Sequence, residues 1–232
     1  MTLLADIQLI IFDKDGTLID FDAMWGGWLE DLAQRLERLA GVPLAQPLFN
    51  ALGYDAVTQR AIPHSHLVIA PVSELYDLTL AFLREHGQTE SLLRAAWFTP
   101  DPVALAKPVT DLRALFTALR ARGQRLALAT ADDRAPTQVT LESFGIADWI
   151  ETMVCADDGI PLKPAPDMIL TICQRLNVLP VHTLMVGDTV ADLHMGRAAG
   201  VGRVVAVLTG ANTLEDLQPH ADVVLPSVAN LV

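Results

Sequence analysis

The chain has 232 residues, 51% of them apolar, and its 28 acidic against 16 basic side chains leave a net charge of −12. That length can bury one good core plus a smaller second unit, and the acidic balance argues against a nucleic-acid or anionic-membrane partner while leaving room for an anionic small molecule held by local basic groups and a cation. No apolar run approaches the ~18 residues of a membrane span, no basic-then-apolar leader is seen, and Cys155 and Cys173 stand outside any metal-ligand spacing, so a cytoplasmic protein with two buried free thiols is expected.

In chain order, the first apolar run, 7–12, is expected to be a strand, and it runs into Asp13-Lys14-Asp15-Gly16-Thr17. Side chains two apart point the same way on an extended backbone. Two carboxylates delivered to one spot repel unless a cation or shared proton compensates them. They suit a nucleophile beside a general acid/base, although Asp and Gly are also common in plain strand-ending turns.

The next strand-like run begins only near residue 125. A single βαβ crossover takes roughly 30 residues or somewhat more, so an inserted domain is expected between them. Its pattern is helical: Trp28 or Leu29 with Leu32, Leu36 and Leu39 form one stripe, and Leu75, Leu78, Phe82 and Leu83 another. Gly41-Val42-Pro43, Gly53 and Pro63 punctuate it, and no strand-like alternation stands out.

Beyond the insertion, Leu112, Leu115, Phe116 and Leu119 recur at helical spacing, and Gly123 is placed to end that helix. Strands are expected at 125–130, ending in Thr130, and at 150–155. Lys163 precedes Pro164 and Pro166, which suit the first turn of a helix through Ile169, Leu170 and Cys173. A strand at 183–187 ends in Gly187-Asp188, with Asp192 four residues on and a helix that stops near Gly200; strands at 203–208 and 222–225 follow. Near-continuous apolar strands alternating with helices indicate a parallel sheet covered on both faces.

Singly, each polar residue has an ordinary reading. Thr130 could be a strand-end hydroxyl bonded to backbone, Lys163 a solvated charge, Asp192 a first-turn acid favoured by the helix dipole, and Asp157 and Asp158 turn residues before Gly159.

Together, the order Asp-x-Asp-Gly-Thr, then Thr, then Lys-Pro, then Gly-Asp-x-x-x-Asp resembles the four motifs of the haloacid dehalogenase (HAD) superfamily of phosphatases and phosphotransferases. The likeness runs from about residue 7 to the C-terminus and is loose between roughly 20 and 100. It implies an α/β fold, a Rossmann-like parallel sheet with helices on both faces built from 1–19 and 102–232, plus an inserted all-helical C1 cap, 20–101, acting as a lid. Ligands of open parallel sheets bind outside the carboxyl ends of the strands, where Asp13, Thr130, Lys163 and Asp188 fall.

The resemblance further implies that Asp13 attacks phosphorus to give an aspartyl phosphate and that Asp15 protonates the leaving group and then activates water. Mg²⁺ would be bound by Asp13, the backbone carbonyl of Asp15 and Asp188. Thr130 and Lys163 would hold the phosphoryl oxygens, backbone N–H groups at Gly16 and Thr17 would add to that cradle, and Asp192 would orient Lys163 or the metal shell. An acid at Asp157 or Asp158 would lie near the metal.

Three departures stand out: Lys14 replaces the more usual Leu or Met, Ile19-Asp20-Phe21-Asp22 replaces the usual Asp-Ser after Leu18, and Ala131-Asp132-Asp133 follows Thr130 where Asn is frequent. Lys14 either points away or alters the local charge. Asp15 argues against the dehalogenase branch, and the want of a lysine between Asp15 and Lys107 argues against the phosphonate-hydrolysing branch.

The runs Val207-Leu208-Thr209-Gly210 and Ala221-Asp222-Val223-Val224-Leu225-Pro226 look most like the phosphoglycolate phosphatase group. The expected activity is hydrolysis of a small phosphorylated metabolite such as 2-phosphoglycolate or a sugar phosphate, by a monomer or homodimer. The alternatives are a phosphomutase of the β-phosphoglucomutase type and a phospho-accepting regulatory or binding protein. Within the insertion, Trp25, Arg35, Arg38, Arg60, His64 and His66 are candidates for substrate contact, an arginine being suited to a second anionic group; the competing reading of the arginines is solvated helix surface.

Overall fold

The computed structural model describes residues 3–70, 72–98 and 101–232. The chain divides into two compact units, one combining the residues up to Phe21 with those from Pro102 onward, the other Asp22–Asp101. Asp20 and Phe21 thus go with the first unit, where the Asp20 N–H donates to the Lys107 carbonyl at 2.9 Å. No helix among the described residues is long and apolar enough to cross a membrane.

Among the described residues the strands are β1 (Leu9–Phe12), β2 (Tyr54–Asp55), β3 (Arg60–Ala61), β4 (Arg125–Ala129), β5 (Thr152–Val154), β6 (Thr183–Gly187), β7 (Arg203–Val207) and β8 (Val223–Leu225). Six form one wholly parallel sheet in the order β5-β4-β1-β6-β7-β8. The chain leaves β1 toward β4 and β5, then returns to its other side at β6, so a topological switch point lies beside β1.

All four residues of β1 are buried, which is why its sequence is continuously apolar rather than alternating. Ile10 and Phe12 pack on one face with Leu115, Phe116 and Leu119 of the helix Leu112–Ala121. Leu9 and Ile11 pack on the other with Met168, Ile169 and Ile172 of Asp167–Leu176 and Met195 of Val190–Ala199. Successive side chains of one strand therefore feed two helical layers, as the period of two requires. Pro166 caps the helix Asp167–Leu176 rather than entering its first turn, and Pro164 lies before it. Gly200 ends Val190–Ala199 in the left-handed conformation.

The unit Asp22–Asp101 holds the helices Gly27–Ala40, Ala45–Leu52, Val72–Glu85 and Glu90–Ala96, the short turn His66–Ile69, and the hairpin of β2 and β3. The hairpin departs from the all-helical expectation, since strands of two residues are too short to show alternation. Trp28, Leu29, Leu32 and Leu36 are buried as expected, but Leu39, near the end of its helix, is 52% exposed. In the helix Val72–Glu85, Thr79 is buried beside half-buried Leu78, its hydroxyl donating to the Leu75 carbonyl at 2.7 Å; a back-bonded threonine can face a core that the apolar count assigns to leucine. Asp22 receives the Ala61 N–H at 2.7 Å and pairs with Arg60 Nε at 3.3 Å, so this extra acid braces the hairpin.

Candidate active site

Register brings the chemistry together. Phe12 lies opposite Leu128 of β4 and Val186 of β6, so Asp13, Thr130 and Asp188 emerge at the same end of three adjacent strands. The Asp13 N–H donates to the Val186 carbonyl at 2.9 Å and the Thr130 N–H to the Val154 carbonyl at 3.0 Å, which pins both residues to the sheet.

Carboxylate oxygens of Asp13, Asp188 and Asp192 lie within 4.8 Å of one another, and all three residues are buried. Lys163 enters this cluster from the loop before its helix, with Nζ 2.6 Å from Asp13 Oδ1 and 2.6 Å from Asp192 Oδ1. The second oxygen of Asp192 accepts the Thr189 N–H at 3.1 Å and the Thr189 hydroxyl at 2.5 Å, while the Asp192 N–H returns to that hydroxyl at 3.2 Å. This capping box starts the helix Val190–Ala199. Asp192 is therefore committed on both sides, to a helix cap and to Lys163.

Asp188 has no such cation. Among the described residues it forms no ion pair, and its Oδ1 accepts only the Thr17 hydroxyl, at 2.9 Å. Gly16, at φ +78°, and Gly210 both press against its carboxylate, and a Cβ at either would overlap Oδ2. Three buried carboxylates against one ammonium leave two negative charges in excess, an arrangement costly without further compensation. An all-oxygen donor set of this kind fits a hard divalent cation.

The proton affinities follow from the same crowding. Burial pushes the Asp13 carboxyl up to about 7, against the pull of Lys163 and with added push from Asp192 and Asp15. Burial, then the charges of Asp13 and Asp192, raise Asp188 well above the usual carboxylate range, and burial raises Asp15 against the pull of Lys14. Burial alone would weaken the Lys163 ammonium, but Asp13 and Asp192 together hold it above the ordinary lysine range. That Lys163 gains from Asp13 while Asp13 still rises is consistent: one ammonium serves two carboxylates in a dry site, and for Asp13 desolvation wins.

Each residue singled out from the sequence can now be placed. Asp13, Asp188, Asp192 and Lys163 meet in one cluster. Thr130 is buried at the end of β4, its hydroxyl accepting the Asp132 N–H at 3.2 Å. The amides of Gly16 and Thr17 are engaged inside the turn, donating to the carbonyls of Ile19 at 2.8 Å and Lys14 at 3.3 Å, so the hydroxyl of Thr17, not its N–H, reaches the site. The Gly16 carbonyl is held in turn by the Thr209 hydroxyl at 2.7 Å.

Asp158 forms a bidentate pair with Arg134, with Nη2 2.6 Å from Oδ2, and Asp157 accepts the Arg134 N–H at 3.0 Å, so both acids brace the helix Arg134–Ser143. Lys14 does not point away to solvent. It is 2% exposed, with Nζ 2.6 Å from Asp15 Oδ1 and 2.9 Å from Asp132 Oδ2. Asp132 and Thr209 escaped sequence reasoning as site members; only the unusual acids after Thr130 hinted at the first.

In the unit Asp22–Asp101, Arg35 lies 3.7 Å over the Phe98 ring and, with Arg38, Asp31, Gln34, Leu39 and Ala95, lines an open groove of about 410 Å³. Trp25 meets Trp28 edge-on, at 6.0 Å between rings. Arg60 is tied to Asp22. His64 adopts a left-handed backbone, and His66 begins a short helical turn.

A family model described as haloacid dehalogenase-like hydrolase matches residues 7–200. The chain is 32% identical over 200 residues to a phosphoglycolate phosphatase of Rhodospirillum rubrum, covering 85% of this chain and 78% of that protein. It is 24% identical to an N-acetylmuramic acid 6-phosphate phosphatase of Pseudomonas aeruginosa, over 97% and 93% of the two chains. A solved HAD-superfamily hydrolase from Geobacter sulfurreducens shares the fold with a TM-score of 0.71 at 18% identity, covering 100% of this chain and 98% of that one. With the motif order, the parallel sheet and the family match in agreement, the chain belongs to the haloacid dehalogenase-like hydrolases.

Proposed function

We propose that the protein is a Mg²⁺-dependent phosphatase of a small phosphomonoester, working through an aspartyl phosphate on Asp13. The observation that carries this reading is the meeting of Asp13 with Lys163 at 2.6 Å inside a buried three-carboxylate cluster at the switch point of the sheet. The names of the relatives from Rhodospirillum rubrum and Pseudomonas aeruginosa, both phosphatases of small phosphorylated acids, support the substrate class.

Asp13, Asp188 and the backbone carbonyl of Asp15 would hold Mg²⁺. When bound, the ion supplies positive charge that keeps Asp13 ionised and offsets the charge of the phosphoryl oxygens. Lys163 and Thr130 bind those oxygens, Lys163 as a point charge held in place by Asp192. The Asp13 carboxylate attacks phosphorus, the P–O bond to the alcohol breaks, and the departing oxygen takes a proton from Asp15. Asp15, now a carboxylate, removes a proton from water, which attacks the same phosphorus and releases phosphate and free Asp13. The inserted unit Asp22–Asp101 corresponds to the cap that the family resemblance implies.

The test is phosphate release from 2-phosphoglycolate, N-acetylmuramic acid 6-phosphate and a set of sugar phosphates, with Mg²⁺ or EDTA, for wild type and Asp13→Asn. Turnover that requires both Mg²⁺ and Asp13 is expected. Well-folded protein that releases phosphate from none of them, or an active Asp13→Asn variant, would reject the reading.

A further inference from the structure

Lysine ordinarily leaves its ammonium in water and buries only its stem. Lys14 instead lies inside the protein at 2% exposure, within reach of no fewer than two carboxylates, Asp15 at 2.6 Å and Asp132 at 2.9 Å. Asp132 is itself held through its main chain. Its N–H donates to the Thr130 hydroxyl at 3.2 Å and its carbonyl accepts the Ala156 N–H at 2.9 Å, so main-chain bonds anchor it to the ends of β4 and β5. Among the described residues, Lys14 is the only hydrogen-bond donor to the Asp15 carboxylate. The Lys14 ammonium thus joins the carboxylate of the proposed acid/base, Asp15, to that of Asp132, whose main-chain N–H in turn donates to the hydroxyl of Thr130.

We propose that Lys14 is a positioning residue whose ammonium, braced on Asp132, sets where the Asp15 carboxyl stands relative to the phosphoryl group and so where the leaving-group oxygen receives its proton. The inference rests on the phosphatase reading above. Lys14 touches neither phosphoryl group nor alcohol; it acts through Asp15. Ala131, with no polar side chain, leaves Asp132 as the residue after Thr130 that turns a side chain toward this loop. Misplacing a proton donor by about 1 Å can lower a rate on the order of 10²-fold.

This role has a signature that a merely structural ion pair lacks, because it depends on the leaving group. An alkoxide needs a proton to depart, whereas p-nitrophenolate does not. In single turnovers with Mg²⁺, release of the first equivalent of alcohol is measured for 2-phosphoglycolate, or the fastest alkyl ester of the panel, and for p-nitrophenyl phosphate. Lys14→Met is expected to slow the alkyl ester about tenfold or more while changing p-nitrophenol release by less than about threefold, with Lys14→Arg restoring part of the loss and Asp15→Asn showing the same pattern in stronger form.

Asp132→Asn, which loosens this brace but retains the Lys14–Asp15 pair, is expected to show a smaller loss in the same sense. Equal losses on both esters, or none on either, would overturn the positioning role, and the Asp132→Asn result decides it even where Lys14→Met does not fold. A retained first turnover in Asp13→Asn would instead bring down the phosphatase reading itself.

Discussion

Two lysines, with side chains 2% and 9% exposed, each stand between two carboxylates, yet they sit in different electrostatic settings. Lys163 shares its cluster with a third acid, Asp188, and the side chains of Asp13 and Asp192 are 9% and 0% exposed. Lys14 serves Asp15 and Asp132, whose side chains are 18% and 29% exposed. The first cluster is dry and over-charged, and calls for a divalent cation. The second is wetter and closer to balance, so its pairs can act as a brace. The same lysine-carboxylate contact thus means different things according to how many acids it must serve and how far water is excluded.

The comparison can be broken at its strongest point first. Asp13→Asn is expected to lower turnover on the order of 10⁴-fold or more, since a nucleophile removed from a unit that acts together is not replaced by its neighbours; circular dichroism should show the fold retained. Lys163→Met should lower kcat roughly 10²–10³-fold, and in EDTA it should destabilise the protein by about 3–5 kcal/mol in urea titration, because Asp13 and Asp192 lose their shared cation. Mg²⁺ should recover part of that stability.

A third test concerns pH. Asp13, Asp15 and Asp188 are all raised by burial, so the folded state holds their protons more tightly than the unfolded chain does. Each such group lowers stability as pH climbs from the ordinary value of 3.8 through the folded value, which for Asp13 is about 7. Metal-free protein is therefore expected to melt higher at pH 5 than at pH 8, and added Mg²⁺ to raise the melting temperature more at pH 8. An equal Mg²⁺ effect at the two pH values would contradict the over-charged cluster. The smallest effect expected is that of Thr17→Val, about 1.5–3 kcal/mol in EDTA at pH 8, from loss of the hydroxyl that donates to Asp188.

Much of the site is legible in the amino-acid sequence alone. Asp13, Thr130, Lys163 and Asp188 each end an apolar run or precede a helix, and a parallel sheet delivers such positions to one edge. The placement of Lys14 was not legible, because strict alternation would aim it opposite to Asp13 and Asp15; the strand ends at Phe12, and in the turn that bonds Gly16 to Ile19 the Lys14 ammonium meets the Asp15 carboxylate. The pairing of Asp158 with Arg134, from another element, was not legible either, since the sequence offers a turn residue and the resemblance an acid near the metal.

Burial in the inserted unit shows a similar divide. The helix Gly27–Ala40 matches its apolar stripe at Trp28, Leu32 and Leu36, whereas the exposure of Leu39 near its end and the burial of Thr79 in the middle of Val72–Glu85 depend on which neighbours cover those turns.

What the amino-acid order determined by itself is local and periodic: six short apolar strands, the helices between them, the acid pairs at strand ends and the length of the insertion. These follow from residue type and spacing, which act over a few positions. What only the tertiary structure decided is pairing over distance: Lys163 reaching Asp13 from 150 residues away, Thr17 donating to Asp188 across 171, and Lys14 bridging to Asp132. Such contacts depend on strand order and register, which bring distant charges into one dry volume, and no spacing along the chain encodes which ammonium will serve which carboxylate.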